Sequence, residues 1–452
     1  MKREFKFLCV LMCLVLAITA FAGCSSGKDG EGSSSKTGTG KTETGKTEKE
    51  AETGKGENKE TKTLKWSVWD QKTTPYWDQL ADAYMEKNKD VKIELVDLGS
   101  QDYQTVLGTD LSGGGSDFDI VTIKDVPGYA TLISKGVLEP LDDRIKEDNI
   151  DLSKFAGTTE QVTVDDKLYE LPFRTDFWLL FYNKDLFDQA KVEYPGNDIT
   201  LEEYDKLARS VAKDGIYGSH YHTWRSAVQL FDILDGKHSI LDGKYEFTKP
   251  YYEMVWKQQE DGICRSYSDI NASQLHYSAA FAEGDTATMN MGSWFIGTMT
   301  ASLQSGEYDK EKCGNWGIAS YPHPEGAKAG STLGTITGLS IPTSGENQDV
   351  AWDFIRFVSG EEGAKILAES GNFPAAMNDE ALDIITSVEG FPQDEASREA
   401  LKTSEIYLEA PYSENVADIN SILDTYHKDI MNGDISVDEG IKLMDDEVSA
   451  LD

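Results

Sequence analysis

From residue 64 onward the apolar positions change spacing in a regular alternation. Leu64, Trp66 and Val68 are separated by Lys65 and Ser67, the two-residue period of a strand. Trp77, Leu80, Ala81 and Tyr84 then recur at helical spacing, and Val91, Ile93 and Leu95 return to period two. Phe118 to Ile123 reads as a buried strand entered through Gly113-Gly114-Gly115, and a helix around Tyr129 to Ser134 stops at Gly136. This rhythm predicts an α/β fold with a mainly parallel sheet covered by helices. Thr200 with Glu203 spells a capping box ahead of Tyr204, Leu207, Ala208 and Val211. Ser359 with Glu362 predicts a second one, opening a helix that ends at Gly371.

Upstream the pattern is different. Lys2, Arg3 and Lys6 precede an apolar stretch from Phe7 to Ala20, which is followed by Ala22, Gly23 and Cys24. A positive start, a short apolar run and a small-residue exit make residues 1–23 a secretory signal rather than a spanning helix. The run Phe21-Ala22-Gly23-Cys24 resembles a bacterial lipobox, which makes Cys24 the lipidated first residue of the mature chain. From Ser25 to Thr63 the only apolar residue is Ala51, and eight lysines balance eight acidic residues. Such a stretch cannot bury enough apolar surface to offset the entropy of ordering, so 24–63 reads as a tether. Within it, Gly40 to Thr47 matches the phosphate-binding pattern GxxxxGK[ST]. It lacks the preceding strand and following helix that would aim N–H groups at a phosphate.

The 452 residues carry 43 Lys+Arg against 80 Asp+Glu, a net charge of −37. With the signal at +2 and the tether neutral, the imbalance belongs to the body after residue 63. A body this acidic repels phosphates, which excludes nucleic acid as a partner. Cys264 and Cys313 are the only cysteines after Cys24, and they are either a disulfide or two buried thiols. No HExxH or CxxC occurs, and no GxSxG after residue 63. His220-Tyr221-His222 would place two imidazoles on one face of a strand, but no third metal ligand is identifiable. Asp117 with Asp119, and Asp165 with Asp166, are the carboxylate pairs available for glycoside hydrolysis. Turn formation is the competing explanation for the first pair.

Several segments together resemble the extracellular solute-binding proteins of ATP-driven importers, in the carbohydrate-binding group related to maltose-binding protein. Gly136-Val137-Leu138-Glu139-Pro140-Leu141 is similar to that family's G-L-L-E-P-L. Leu171-Pro172-Phe173 with the run LFYNKDLF from Leu180 to Phe187 is similar to its most specific stretch. Tyr194-Pro195, Thr200 to Tyr204, Phe281 to Met289 and Gly292-Ser293-Trp294 follow in the family's order, as does Trp352 to Glu362. The resemblance spans roughly 64–375 and weakens beyond.

The resemblance implies a two-lobed periplasmic-binding-protein-like fold of type II. Lobe one would be 64–173 plus 318–372, lobe two 174–317 plus 373–452, with a hinge around Leu171 to Thr175. It implies a monomer without cofactor or metal, held by Cys24 at the outer face of the bacterial membrane. That monomer would deliver a carbohydrate to ABC permease subunits by closing around it. A surface carbohydrate-active hydrolase and a solute receptor for a sensor partner are the rival readings.

Sugars stack their C–H faces on aromatic rings and bind carboxylates, amides and arginine through hydroxyls. The resemblance therefore marks Trp294 as a stacking platform, with core packing as the alternative. It marks Trp69 and Asp70 at the end of the first strand as ligand contacts, with a helix N-terminal turn as the alternative. Arg174, Asp176 and Trp178 flank the hinge, where a structural Arg–Asp pair is the alternative for the first two. Trp224 and Arg225 come from lobe two, and Gln101, Asp125, Thr337 and Asn372 edge the cleft. Tyr182 is read as structural.

Overall fold

The computed structural model describes residues 61–451 apart from 114–116, 156, 230, 232, 377–378 and 404. The signal, Cys24, the GxxxxGK[ST] run, Gly114 and Gly115 lie outside the described residues. Strand β1 (Lys62–Val68) begins two residues before the apolar alternation, because Lys62 and Thr63 pair with Val91 and Lys92 although both side chains are exposed. Leu64, Trp66 and Val68 are fully buried. β1 lies between two parallel partners, β2 (Val91–Asp97) and β3 (Ile120–Ile123), with helices 76–87 and 103–112 making the connections.

β4 (Thr163–Val164) and β5 (Lys167–Leu168) form a hairpin closed by Asp165 and Asp166, with φ of 49° and 60°. Two successive residues at positive φ make a type I′ turn, so this carboxylate pair is turn chemistry. Asp117 pairs with Lys65, while Asp119 accepts hydrogen bonds from the Lys65 and Asn347 backbones. Both are occupied in joining β1 and β3 to their surroundings.

β6 (Leu171–Asn183) is thirteen residues long and almost entirely buried. Its second half, from Trp178, lies between β7 (Thr288–Gly292) and β8 (Trp316–Ser320), antiparallel to both. Its first half, to Phe177, pairs antiparallel with β9 (Ser331–Ser340), whose early residues also pair parallel with β10 (Glu405–Leu408). The sheet is therefore mixed, and only β1 to β3 follow the parallel rhythm legible in the sequence. The direction of β6 in the second lobe is set by its origin in the first, not by a local crossover helix.

One apolar core, around Trp66, Trp77, Tyr103, Tyr129 and Phe354, fills the first lobe. Two others fill the second, one around Tyr204, Phe231 and Tyr252, the other around Phe181, Phe295 and Met299. Ile318, Ala319, Tyr321 and Leu333 pack in the second-lobe cores and Ile336 in the first. The return crossing thus falls within β9 rather than at residue 318. A third crossing is hydrogen-bonded to the hinge strand, with Thr175 N–H donating to Phe373 O and Ala375 N–H to Phe173 O.

The two capping boxes fare differently. Thr200 Oγ1 accepts from Glu203 N–H while Glu203 accepts from Thr200 N–H, closing the box on helix 201–211. Thr200→Ala is expected to lower stability by about 1 kcal/mol in urea denaturation. Ser359 caps nothing: it ends helix 348–359, its hydroxyl donating to Leu171 O. The next helix, 361–369, starts instead from Gly360, where a Cβ would lie 2.7 Å from Arg356 O, and Glu362 pairs with Lys87. Cys264 and Cys313 are free thiols buried in different cores, where burial pushes them up to about 12 and about 11.

Candidate functional site: the cleft between the lobes

Where β1 ends, the chain turns outward through Trp69 and Asp70. The Trp69 ring is braced edge-on by Trp77 and Tyr103, with Lys124 Nζ 5.5 Å and the Arg174 guanidinium 5.8 Å from its centroid. Asp70 adopts φ 48° and ψ 40°, the left-handed conformation that Asp tolerates better than most side-chain-bearing residues. Both residues face a cavity of about 860 Å³ bounded by the two lobes and floored by the hinge.

The hinge strand supplies the centre of the floor. Arg174 Nε lies 3.0 Å from Asp176 Oδ2, its Nη1 donates to Tyr76 Oη at 2.8 Å, and its Nη2 to Thr337 Oγ1 at 3.4 Å. Thr337 is opposite Arg174 in the β6–β9 register, so the hinge pairing itself brings these groups together. Asp176 Oδ1 accepts from Ser293 Oγ at 2.8 Å, which ties the strand to the start of helix 294–305.

That helix begins with Trp294, whose indole folds back over Gly292, where any Cβ would collide with the ring. Trp294 stands edge-to-face with Trp178 (5.8 Å between centroids) and Trp224 (6.2 Å), and Trp224 is 5.5 Å from Tyr277. These rings form an aromatic wall on the second lobe. Beyond it, Arg225 is held by Asp424 Oδ1 at 2.9 Å, Gln229 Oε1 at 2.8 Å and Asn420 Oδ1 at 2.5 Å. Glu409 is half-buried beside this group. Burial raises its carboxyl to about 7, with Arg225 opposing and Asp125 adding to the shift.

Of the residues singled out from sequence, Trp69, Asp70, Gln101, Asp125, Arg174, Trp178, Trp224, Arg225, Trp294, Thr337 and Asn372 all line this cavity. Asp176 does not; it stands behind Arg174, both oxygens facing protein groups. Asp125 has a structural duty as well, capping helix 126–134 by accepting from Gly128 N–H at 2.8 Å. Asn372 donates to Ser370 O at 3.0 Å. Sequence reading missed Tyr76, Lys124, Tyr277, Glu409, Asn420 and Asp424, which also line the cavity. Lys124 adjoins a named residue, whereas the last three lie beyond the last recognisable motif.

His220 and His222 are buried, and both are pushed down to about 3, first by burial. Among the described residues no group of three or more His, Cys, Asp or Glu is placed to hold a metal.

Residues 70–365 match the family profile of the bacterial extracellular solute-binding proteins. The chain belongs to that family. This solute-binding protein is 25% identical over 375 residues to a galactooligosaccharide-binding protein of Bacillus subtilis (strain 168), covering 76% of this chain and 82% of that one. It also resembles a sugar transporter from Rhizobium etli solved in an open conformation, with 46% identity, a TM-score of 0.71 and coverage of 86% and 99%. An ABC substrate-binding protein from Listeria monocytogenes, in complex with cycloalternan, shares the fold at 20% identity, with a TM-score of 0.74 and coverage of 87% and 99%. Among the described residues of this solute-binding protein, no helix is long and apolar enough to cross a membrane.

Proposed function

We propose that the chain is the substrate-binding component of an ABC sugar importer. It is anchored through Cys24 at the outer face of the bacterial membrane and hands a neutral mono- or oligosaccharide to permease subunits by lobe closure. The observation that carries this is the cleft: an aromatic wall on one lobe faces Trp69, Asp70 and Gln101 on the other. Rings that accept the C–H face of a pyranose stand beside side chains that bind its hydroxyls. Arg174 and Arg225 are each held by a carboxylate, so neither offers the uncompensated charge that an anionic solute requires. A cavity of about 860 Å³ is near the upper end of small-molecule sites and has room for more than one sugar ring. The B. subtilis relative, by name a binder of galactooligosaccharides, supports the same class. Ligand that contacts both lobes favours the closed form by its differential affinity alone, so transport calls for binding and not for chemistry on the sugar.

The test is a thermal-shift and calorimetric screen of the body from residue 61 against lactose, galactotriose, maltotriose and mannotriose, with arginine, a tetrapeptide and spermidine as non-sugars. Stabilisation by a sugar is expected; stabilisation only by a non-sugar overturns the substrate class. Trp294→Ala should weaken sugar binding by about 2 kcal/mol, roughly thirtyfold in Kd, with the fold retained because this ring is only half-buried.

A further inference from the structure

The segment that follows β10 touches both lobes. Leu408 packs against the first-lobe core, Ala410 is buried in a second-lobe core, and Tyr412 packs against both. Between them Glu409 is pinned by its backbone, its N–H donating to Gly334 O at 3.0 Å. Gly334 is the β9 residue paired with Phe177, at the point where β6 passes from one lobe to the other. Glu409 thus projects into the cleft from the crossing itself, on a strap that any change in lobe angle must move.

The surroundings of its carboxyl come from four elements. Arg225 precedes helix 226–229, Asp424 lies on helix 416–432, Asp125 starts helix 126–134 and Trp178 lies on β6. His427 and Lys428 on helix 416–432 face the same cavity. Three of the Arg225 N–H groups are taken by Asp424, Gln229 and Asn420. The Trp178 indole N–H, on the buried side of the carboxyl, favours its ionised form.

We propose that Glu409 is a specificity-determining residue of the cleft, accepting hydroxyl hydrogen bonds from a neutral sugar. This rests on the sugar reading above and adds a residue and a proton dependence to it. An ionised carboxylate only accepts, whereas a protonated one keeps a donor in the wrong place, so the ionised form binds the sugar better. Because the carboxyl titrates near neutrality, affinity rises with pH through that range.

The experiment is calorimetric titration of wild type, Glu409→Gln and Glu409→Asp with lactose, galactotriose, maltotriose and mannotriose at pH 6 and pH 8. Far-ultraviolet dichroism and melting without sugar check the fold of each variant. For the sugars it binds, wild type is expected to bind several-fold more tightly at pH 8. Glu409→Gln should bind about tenfold more weakly at pH 8 and lose the pH dependence, which Glu409→Asp retains. Glu409→Gln with wild-type affinity, or with the wild-type pH profile, overturns the inference and leaves the sugar reading standing. A wild type that binds none of these sugars at either pH overturns both.

Discussion

Asp176→Ala is expected to cost about 3–5 kcal/mol of folding stability, seen as a lower urea midpoint with an unchanged slope. The reason is what remains afterwards. Arg174 is 8% exposed and Asp176 fully buried as side chains, and the carboxylate is the anion compensating this guanidinium within the hinge. Without it the guanidinium keeps Tyr76 and Thr337 as partners but loses its counter-charge, and a buried uncompensated ion is far more costly than a missing ion pair. The same change removes the bond from Ser293 that ties β6 to the helix carrying Trp294. Arg174→Met combined with Asp176→Leu removes both charges and should recover most of the loss. A single substitution costing under about 1 kcal/mol, or a double variant no better than the single, contradicts this account.

That pair also shows how far sequence reading reaches. In the sequence Arg174, Asp176 and Trp178 flank the expected hinge, with a structural Arg–Asp pair as the competing explanation for two of them. The structure brings Arg174 to the cavity and puts Asp176 behind it. Strand alternation alone makes residues 174, 176 and 178 share a face; it does not say which side chain is long enough to reach the opening. Depth belongs to tertiary packing, here the approach of Tyr76 and Ser293 from either lobe.

The elements legible from spacing are those whose burial is local. β1, helix 76–87, β2 and the Thr200 box each show their pattern within a dozen residues. The antiparallel course of β6 and the return crossing inside β9 depend on partners more than a hundred residues away, which periodicity does not record. Ser359 failed as a cap because the preceding helix runs through it to Gly360, and the box motif has no means of signalling that a helix is already under way. Glu409, Asn420 and Asp424 reach the cleft from the C-terminal region, where nothing in the local sequence sets them apart from the other acidic and amide residues of an acidic chain.

Lowering the pH of the ligand-free protein from 6.5 to 5 is expected to destabilise it, although the body is strongly acidic. His220, His222 and His427 are buried and held down to about 3, against an ordinary value of 6.5. Both ring nitrogens of His220 lack a hydrogen-bond partner in the protein, so a charged imidazole there has nothing to receive its protons. Between pH 6.5 and about 3 the unfolded chain binds these protons and the folded one does not. Stability therefore falls as pH falls, by up to ~1.4 kcal/mol per pH unit for each group. His276 is pushed the same way, chiefly by burial.

Three carboxyls oppose the trend. Burial raises Glu170 well above 4.5, Glu409 to about 7 and, against the pull of Arg174, Asp176 above its ordinary value, so each contributes stability at low pH that is lost as pH rises. Above pH 6.5 the unfolded imidazoles bind few protons and their contribution fades. Below it the four histidines outnumber the carboxyls, so the net slope is positive between about pH 6.5 and 5, where the surface carboxylates have yet to titrate. Urea denaturation at pH 6.5, 5.8 and 5 reads the slope. Glu170→Gln removes one opposing proton and should steepen the loss by up to ~1.4 kcal/mol per pH unit, whereas His427→Gln should flatten it by a similar amount. A wild type equally stable at pH 6.5 and 5, or a Glu170→Gln slope no steeper than wild type, would show that these buried groups do not hold the proton states their surroundings impose.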